Sequence, residues 1–293
     1  MASASDAESV DHGPPYDEAR DNANLDWVDG SDYESDYESE DSGGVGDSLD
    51  RGTEKEDGVC RGVSGAGTCG ARMFDDNFVH VAPKYYDWKE IFPFLETILE
   101  NEAVIQSELR NFMQERWCPW PEEKLYYAPD QNGDWKVIPL MHTFPAFCES
   151  KKTVIESNGK LCPKTMELMS AIPGIRTVLF SRLGPETRLS CHQGWCDLAN
   201  YVLRCHLPLI VPKKPNSCGM WVEREVRYHK PKEILVFDDS KFHKAFNASN
   251  EERIILIFDI VRPKSIPKGL ATGGHTEQLD SFIEAYKQSI GAL

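Results

Sequence analysis

Histidine and arginine side chains occur in the C-terminal half of the chain at positions where apolar residues would be expected. His192 follows a short apolar run and stands two residues before Gly194. Arg204 and His206 lie two residues apart in another run, so in a strand both side chains point to the same face. Imidazole nitrogens bind transition metals, and a guanidinium binds a carboxylate through two parallel hydrogen bonds. This group of residues could therefore hold a metal ion and an anionic ligand.

A second group of polar residues surrounds the first in the sequence. Asp238 and Asp239 close the run EILVF, His243 follows four residues after Asp239, Arg253 opens the next run, and Ser181 ends the earlier run RTVLF. Each residue alone has an ordinary explanation, because Asp-Asp-Ser is typical of a turn and single charges at strand ends are usually solvated. Their joint spacing is what indicates a site.

The runs that carry these residues predict β-strands. They alternate with a period of two and are separated by Gly, Pro, Asn and Asp. Six of them are RTVLFSRLG, TRLSCHQG, ANYVLRCHLPLIVP, GMWVERE, EILVFDD and ERIILIFDIVRP. So many short strands predict an all-β barrel or a two-sheet sandwich. Apolar residues at helical spacing predict amphipathic helices within residues 85–116, a short helix over 163–172 and a C-terminal helix over 276–290.

Negative charge is concentrated at the N-terminus. The first 60 residues carry 19 acidic and 3 basic side chains, which accounts for the whole net charge of −16. A segment with so much charge and so few apolar residues cannot offset the entropy lost on ordering. We therefore predict a disordered acidic tail over residues 1–72, able to bind a basic partner, and one folded domain over residues 73–293.

Composition also excludes several classes of protein. The balanced charge of the domain gives no reason to expect nucleic-acid binding. No stretch is long and apolar enough for a membrane span, and no leader pattern is visible, so we expect a cytoplasmic protein. The nine scattered cysteines fit no disulfide framework, and a zinc site built on Cys191 and Cys196 would match no usual spacing.

In their order and spacing these motifs resemble the aspartyl/asparaginyl β-hydroxylase family of Fe(II)- and 2-oxoglutarate-dependent dioxygenases. The resemblance covers roughly residues 130–265 and is carried by HQG at 192–194, LRCHLPLIVP at 203–212, ILVFDDSKFH at 234–243 and ERIILIFDIVRP at 252–263. It implies a mainly β fold, the double-stranded β-helix, which is a jelly-roll or cupin-like barrel, here flanked by α-helices.

The resemblance also implies the metal site. The residues alone leave open whether His192 or His206 is a ligand, and the family pattern selects His192 and His243 as the two iron-binding histidines. Most ferrous oxygenases add a carboxylate ligand, but here Gly194 stands at that position. Asp239 matches a nearby acid that would hold a water molecule at the vacant coordination position.

Cosubstrate binding follows from the same resemblance. Arg253 and Ser181 match the residues that hold the distal carboxylate of 2-oxoglutarate, and Arg204 and His206 match those beside the carboxylate that binds iron. The implied reaction consumes O2 and 2-oxoglutarate, releases succinate and CO2, and hydroxylates the β-carbon of Asp or Asn in a protein or peptide substrate.

The chain departs from the family pattern near the expected substrate. The stretch between His192 and Arg204 is long and predicts a loop beside the metal with Trp195 exposed to substrate. Val202 and Leu179 stand where animal members carry basic residues, which lowers the positive charge available to an acidic target. Two alternatives therefore stay open, hydroxylation of a lipid acyl chain and a non-catalytic β-barrel binding module.

Overall fold

The computed structural model describes residues 83–112, 116–129 and 131–291. The acidic tail predicted over residues 1–72 lies outside these described residues. Within the described part of the chain, no helix combines the length and the apolar character needed to cross a lipid bilayer.

The described chain is mainly β, with fourteen strands. In chain order, β1 to β14 span Tyr85–Tyr86, Cys118–Pro119, Tyr126–Ala128, Gln131–Asn132, Trp135–Thr143, Lys152–Val154, Ile175–Leu183, Arg188–Leu189, Val202–Ile210, Cys218–Val222, Glu225–Tyr228, Leu235–Phe237, His243–Asn247 and Arg253–Val261. The long strands β7, β9 and β14 coincide with predicted runs.

The strands form two antiparallel sheets. The larger sheet has the order β1-β12-β9-β14-β7-β5-β2, with β6 added beside β5, and the smaller sheet has the order β11-β10-β13-β8-β3-β4. The prediction of a mainly β fold is therefore confirmed, while the barrel that was part of it is not closed, since the described strands leave two separate sheets. The two-sheet arrangement, which the strand pattern also allowed, is the one adopted.

Short helices flank the sheets, as expected. The α-helices α1 to α7 span Trp88–Ile91, Glu96–Glu100, Glu102–Leu109, Glu156–Gly159, Pro163–Ser170, Cys196–Ala199 and Glu277–Gly291, and 3-10 helices span Pro93–Leu95, Glu123–Leu125 and Glu149–Lys151. Helix α5 has Pro at its first position, where a missing N–H costs no hydrogen bond. The predicted C-terminal helix is α7.

Strand alternation gives the larger sheet two different faces. On β9, Leu203, Cys205 and Leu207 join the main hydrophobic core together with residues of α1 to α3 and α5. The intervening Arg204 and His206 point to the opposite face, towards the smaller sheet. Polar side chains are therefore gathered between the two sheets, while the apolar core lies between the larger sheet and the helices.

Candidate functional site

A cavity of about 40 Å³ lies between the two sheets. One water molecule requires roughly 10–15 Å³ by the same measure, so the cavity has room for more than one. It is lined by Trp135, Ser181, Leu189, His192, Arg204, His206, Met220, Phe237, His243, Ala245, Arg253 and Ile257. Six of the seven residues predicted to form the site are in this lining, and the seventh, Asp239, contacts two of the six.

His192 and His243 face each other as a pair. Their backbones form a two-way bridge, with N–H to O distances of 3.1 and 2.8 Å, and their ring centroids are 4.3 Å apart. Nδ1 of each ring lies 2.8 Å from a backbone carbonyl oxygen, that of Ser190 and that of Lys241 respectively. A carbonyl accepts only, so both Nδ1 atoms carry the proton and both Nε2 atoms present a lone pair.

Both rings of this pair are neutral. Burial lowers the pKa of His192 to about 3, with the neighbouring His243 acting in the same direction. Burial likewise lowers the pKa of His243 to about 4. Neutral imidazoles with free Nε2 atoms are the form in which histidine binds a metal ion. The pair therefore fits a metal without any change of protonation at neutral pH.

Asp239 is the carboxylate beside the pair. Its Oδ1 lies 3.4 Å from Nε2 of His243 and accepts a hydrogen bond of 2.8 Å from Arg204. Its buried Oδ2 has no hydrogen-bond partner among the residues described. A Cβ atom added to Gly194 would lie 2.1 Å from this Oδ2. The position of Gly194 thus has no room for a side chain, because Asp239 fills that space.

The site offers two histidine ligands and no complete set of protein ligands among the described residues. Across the described ranges, no three His, Cys, Asp or Glu side chains are grouped so that they could hold a metal by themselves. The pair with its unpartnered carboxylate oxygen nearby can supply two nitrogens and position a water molecule. The residues present therefore fit a ferrous ion that takes its remaining ligands from small molecules.

Arg204 is held by two buried carboxylates. Its Nε and Nη2 donate to Asp259 at 2.8 and 3.0 Å, and its Nη1 donates to Asp239 at 2.8 Å. Burial raises the pKa of both carboxyls, while the guanidinium acts against this shift. Although Arg204 lines the cavity, all three of its nitrogens are already engaged. It orients Asp239, and its predicted contact with the cosubstrate stays a prediction.

Arg253 is the opposite case, a buried cation without a counter-charge. Its side chain is only 2% exposed, and Nε and Nη1 are buried without a hydrogen-bond partner among the described residues. It forms no ion pair with any residue in the described ranges. Burial lowers its pKa to about 10. A buried guanidinium without a counter-charge is suited to bind an anionic ligand in the cavity.

Ser181 lies on the strand beside Arg253. Arg253 pairs with Leu183 across β14 and β7, and Ser181 is two residues along on the same face. The Ser181 hydroxyl accepts a hydrogen bond of 3.1 Å from Nε1 of Trp135. Its own hydrogen remains available for a ligand, so Ser181 and Arg253 together offer donors to a carboxylate.

His206 has a partner that the sequence did not indicate. Its Nδ1 lies 3.2 Å from Nε2 of His229, which follows β11, and its Nε2 has no hydrogen-bond partner within the described chain. Burial lowers the pKa of both rings well below the ordinary histidine value. His206 therefore lines the cavity as a neutral imidazole with Nε2 as the atom left for a ligand.

Aromatic side chains form one end of the site. Trp135 stacks on Trp120 at 4.5 Å between centroids, and Trp120 stacks on Trp195 at 5.9 Å. Leu279 of α7 packs on this cluster. Trp195 is half-buried here and does not line the cavity, in contrast to the expectation that it would be exposed to substrate. Of the three indoles, Trp135 alone lines the cavity.

The loop after His192 is fastened to the C-terminal segment. The side-chain amide of Asn200 donates to the carbonyl of Ala271 at 2.9 Å and accepts from its N–H at 2.7 Å. The N–H of Cys196 donates to the carbonyl of Gly273 at 2.6 Å. This loop, which contains α6, is therefore ordered by contacts outside the two sheets.

Sequence reasoning missed two residues of the site. Asp259 interrupts an apolar run on β14, and its parity places it on the same face as Arg253, so the signal was present. His229 stands in the polar sequence YHKP and carried no comparable signal. Asp238, singled out beside Asp239, instead forms a buried ion pair with Arg262 away from the cavity.

Comparisons with known proteins agree with these motifs. The family model described as Aspartyl/Asparaginyl beta-hydroxylase matches residues 99–263. The ornithine lipid ester-linked acyl 2-hydroxylase of Rhizobium tropici is 37% identical over 186 residues, covering 63% of this chain and 63% of that protein. The aspartyl/asparaginyl beta-hydroxylase of Mus musculus is 29% identical over 153 residues, covering 49% of this chain and 19% of that protein. The chain thus spans less than two thirds of the length of these curated relatives.

Among solved structures, a 2OG-Fe(II) oxygenase family oxidoreductase from Burkholderia pseudomallei aligns with a TM-score of 0.40 and 11% identity. The alignment covers 57% of this chain and 80% of that one.

Proposed function

The chain belongs to the aspartyl/asparaginyl beta-hydroxylase family, and on that premise we propose that it is an Fe(II)- and 2-oxoglutarate-dependent dioxygenase. The observation that carries the proposal is the juxtaposition of two features in one cavity. One is a histidine pair whose Nδ1 atoms donate to backbone carbonyls, which leaves a lone pair on each Nε2, and the other is a buried arginine without a counter-charge. A metal and a dianion together complete both features.

His192 and His243 would hold the metal through Nε2, with Asp239 positioning a water molecule beside it. When bound, Fe(II) supplies the activation of O2 that hydroxylation of an unreactive carbon requires. The overall reaction consumes O2, 2-oxoglutarate and a C–H bond and yields succinate, CO2 and an alcohol.

The chain's own residues bind and orient the cosubstrate. Arg253 and Ser181 donate to one carboxylate of 2-oxoglutarate, and His206 offers Nε2 to the other end of the molecule. The Arg204–Asp259 ion pair keeps Asp239 turned towards the histidines. The apolar lining from Leu189, Met220, Phe237 and Ile257 excludes water from the reacting groups.

The substrate is argued from the charges that remain. Arg204 is engaged by its two carboxylates and Arg253 is assigned to the cosubstrate, so no cation in the described lining is left for an acidic side chain. Leu179 packs into the aromatic cluster, and Val202 is fully buried in a small apolar cluster. These observations favour an uncharged, apolar target.

We therefore favour a lipid acyl chain as the substrate class, in line with the printed name of the Rhizobium tropici relative. Hydroxylation of Asp or Asn in a protein remains the second candidate, because the family and the Mus musculus relative are named for it. The protein could also bind ligands without turnover, which the same experiment addresses.

The test is succinate formation from 2-oxoglutarate by the full chain with Fe(II) and ascorbate. Three reactions are compared, one with no further substrate, one with extracted lipids and one with Asp- and Asn-containing peptides. Succinate above that of the variant H192A supports a dioxygenase, and a mass gain of one oxygen identifies the substrate class. Absence of succinate in all three would leave a binding module and overturn the proposal.

A further inference from the structure

His229 lies directly behind His206, on the side away from the cavity. Nε2 of His229 and Nδ1 of His206 are 3.2 Å apart, and the ring centroids are 5.4 Å apart. His229 is 5% exposed and its backbone N–H donates to the carbonyl of Cys218 at 3.0 Å. It does not line the cavity, whereas His206 does. Any effect of His229 on a ligand therefore passes through His206.

Both rings are neutral, so each carries a single N–H. Neither ring contacts a carboxylate among the residues described, and both lie close to the Arg253 guanidinium. Two imidazolium rings facing each other beside that cation would be strongly disfavoured. At 3.2 Å, one of the two facing nitrogens must donate and the other accept.

Two tautomeric arrangements are possible, and they differ at the outer nitrogens. If His206 donated from Nδ1, then His229 would carry its proton on Nδ1, which is buried and has no partner within the described chain. If His229 donates from Nε2, the unpartnered Nδ1 is only an acceptor. This second arrangement moves the unpartnered N–H to Nε2 of His206, a residue that lines the cavity, so a water molecule or ligand there can accept from it. The N–H that the first arrangement leaves on Nδ1 of His229 lies outside the cavity lining and has no acceptor within the described chain, so the second arrangement is favoured.

The anionic character of the ligand selects the same arrangement. A His206 that donates from Nδ1 would present a lone pair at Nε2 and repel a carboxylate. A His206 that accepts at Nδ1 presents an N–H at Nε2 instead. This N–H adds to the unsatisfied donors of Arg253, so the cavity offers donors to both carboxylates of a dianion.

We propose that His229 is a positioning residue whose Nε2–H fixes His206 in the Nε2–H tautomer and so makes His206 a hydrogen-bond donor to the 2-oxoglutarate carboxylate. The identity of that anion rests on the proposed function, whereas the tautomer does not. Loss of a hydrogen bond to a charged group corresponds to a rise in Kd of roughly 10- to 100-fold.

The tautomer is measured first, in the metal-free full chain labelled with ¹⁵N-histidine. Long-range ¹H–¹⁵N correlations should show His206 protonated at Nε2 and unprotonated at Nδ1, with the signals assigned by their loss in H206N. A His206 protonated at Nδ1 would overturn the proposal. This measurement needs neither metal nor cosubstrate.

Binding is measured next, by calorimetry with 2-oxoglutarate on Zn(II)-loaded protein. H229F removes the donor and should raise Kd by roughly 10- to 100-fold. H229Q places an amide N–H near the position of Nε2 and should restore most of the affinity, which a merely structural role would not predict. H275F alters a partly exposed histidine and is the matched control, with unchanged tautomer and Kd.

The outcomes separate the two proposals. Tight binding by the wild-type protein with an unchanged Kd in H229F overturns the role of His229 and leaves the dioxygenase proposal intact. Failure of the wild-type protein to bind 2-oxoglutarate overturns the dioxygenase proposal, while the tautomer of the free protein is still read independently. Should H229F not fold, H229M gives the same comparison.

Discussion

Replacing Arg253 by Met should stabilise the ligand-free protein while abolishing cosubstrate binding. The guanidinium is buried and unpaired within the described chain, and its pKa of about 10 lies between two and three units below that of a free guanidinium. At about 1.36 kcal/mol per unit, keeping this charge in the cavity costs roughly 3 kcal/mol at neutral pH. Met preserves much of the apolar stem and removes the charge. The free energy of unfolding should therefore rise by up to about 3 kcal/mol.

Cosubstrate should largely cancel this difference in stability between the two proteins. A ligand at about 100 times its Kd stabilises the folded state by about 2.7 kcal/mol. Wild-type protein loaded with Zn(II) should show such a gain on addition of 2-oxoglutarate, and R253M should show none. Urea unfolding of both proteins, with and without 2-oxoglutarate, measures all four free energies.

A matched control is available on the neighbouring strand. Arg182 on β7 donates to Glu252 at 2.7 Å and also lies near Asp134. Because this arginine has its counter-charges, R182M should be neutral or destabilising and should keep the full response to 2-oxoglutarate. If R253M were destabilised and still responded to 2-oxoglutarate, the assignment of Arg253 to the anion would be wrong.

Three further predictions concern the metal side of the site. The pKa values of His192 and His243 are lowered to about 3 and about 4, so both rings are neutral well below pH 6. Co(II) affinity, followed by absorbance, should therefore change less than about threefold between roughly pH 7.5 and 5.5. A fall in affinity of about tenfold or more would show that the histidines are exposed. G194A would place a Cβ 2.1 Å from Oδ2 of Asp239. Metal affinity should therefore fall, and urea unfolding should show a loss of about 1–3 kcal/mol of stability. Unchanged Co(II) binding would contradict this contact. D259N leaves Arg204 with a single carboxylate, so the free energy of unfolding should fall by about 3–5 kcal/mol. A loss under about 1 kcal/mol would show that Arg204 does not depend on both of its carboxylate partners.

The same histidine pKa values predict acid sensitivity of the metal-free protein. A lowered folded-state pKa means that the stabilising contribution is present above the unfolded value and is lost as the pH falls. Stability should therefore decline from about pH 6.5 down to about pH 4 for His243 and pH 3 for His192. Thermal unfolding across this range is the measurement, and bound Zn(II) should raise stability by a nearly constant amount above about pH 5.5 without changing the slope of the profile.

The sequence predicted the strands whose period was clear. β7, β9 and β14 each show nine residues of alternating or apolar character. The boundaries of β9 and β14 fall within the expected runs, and β7 begins one residue before its run. β5 was missed, because Pro139 interrupts its pattern at the point where the pairing with β7 shifts register. β8 was shorter than its run suggested, since only Arg188–Leu189 pair as a strand before the bridge at His192.

The site was partly predictable for a related reason. Residues two apart on one strand share a face, which placed Arg204 and His206 together from the sequence alone. The ion pair between Arg204 and Asp259 depends on the register of β9 against β14, where these residues stand opposite each other. Register is set by tertiary packing, and so neither this pair nor the contact of His206 with His229 could be derived beforehand.

The contacts of residues 196–200 show that the folded unit extends beyond the family match. The family match stops at residue 263, yet the backbone partners of this loop are Gly269, Ala271 and Gly273. A fragment trimmed to the matched range would lose these contacts of α6 and keep only those made within the range, such as the hydrogen bond from the N–H of Ala146 to the carbonyl of Asp197. Expression and crystallisation designs should therefore retain the chain at least through α7, because the family match ends before the residues that hold this loop in place.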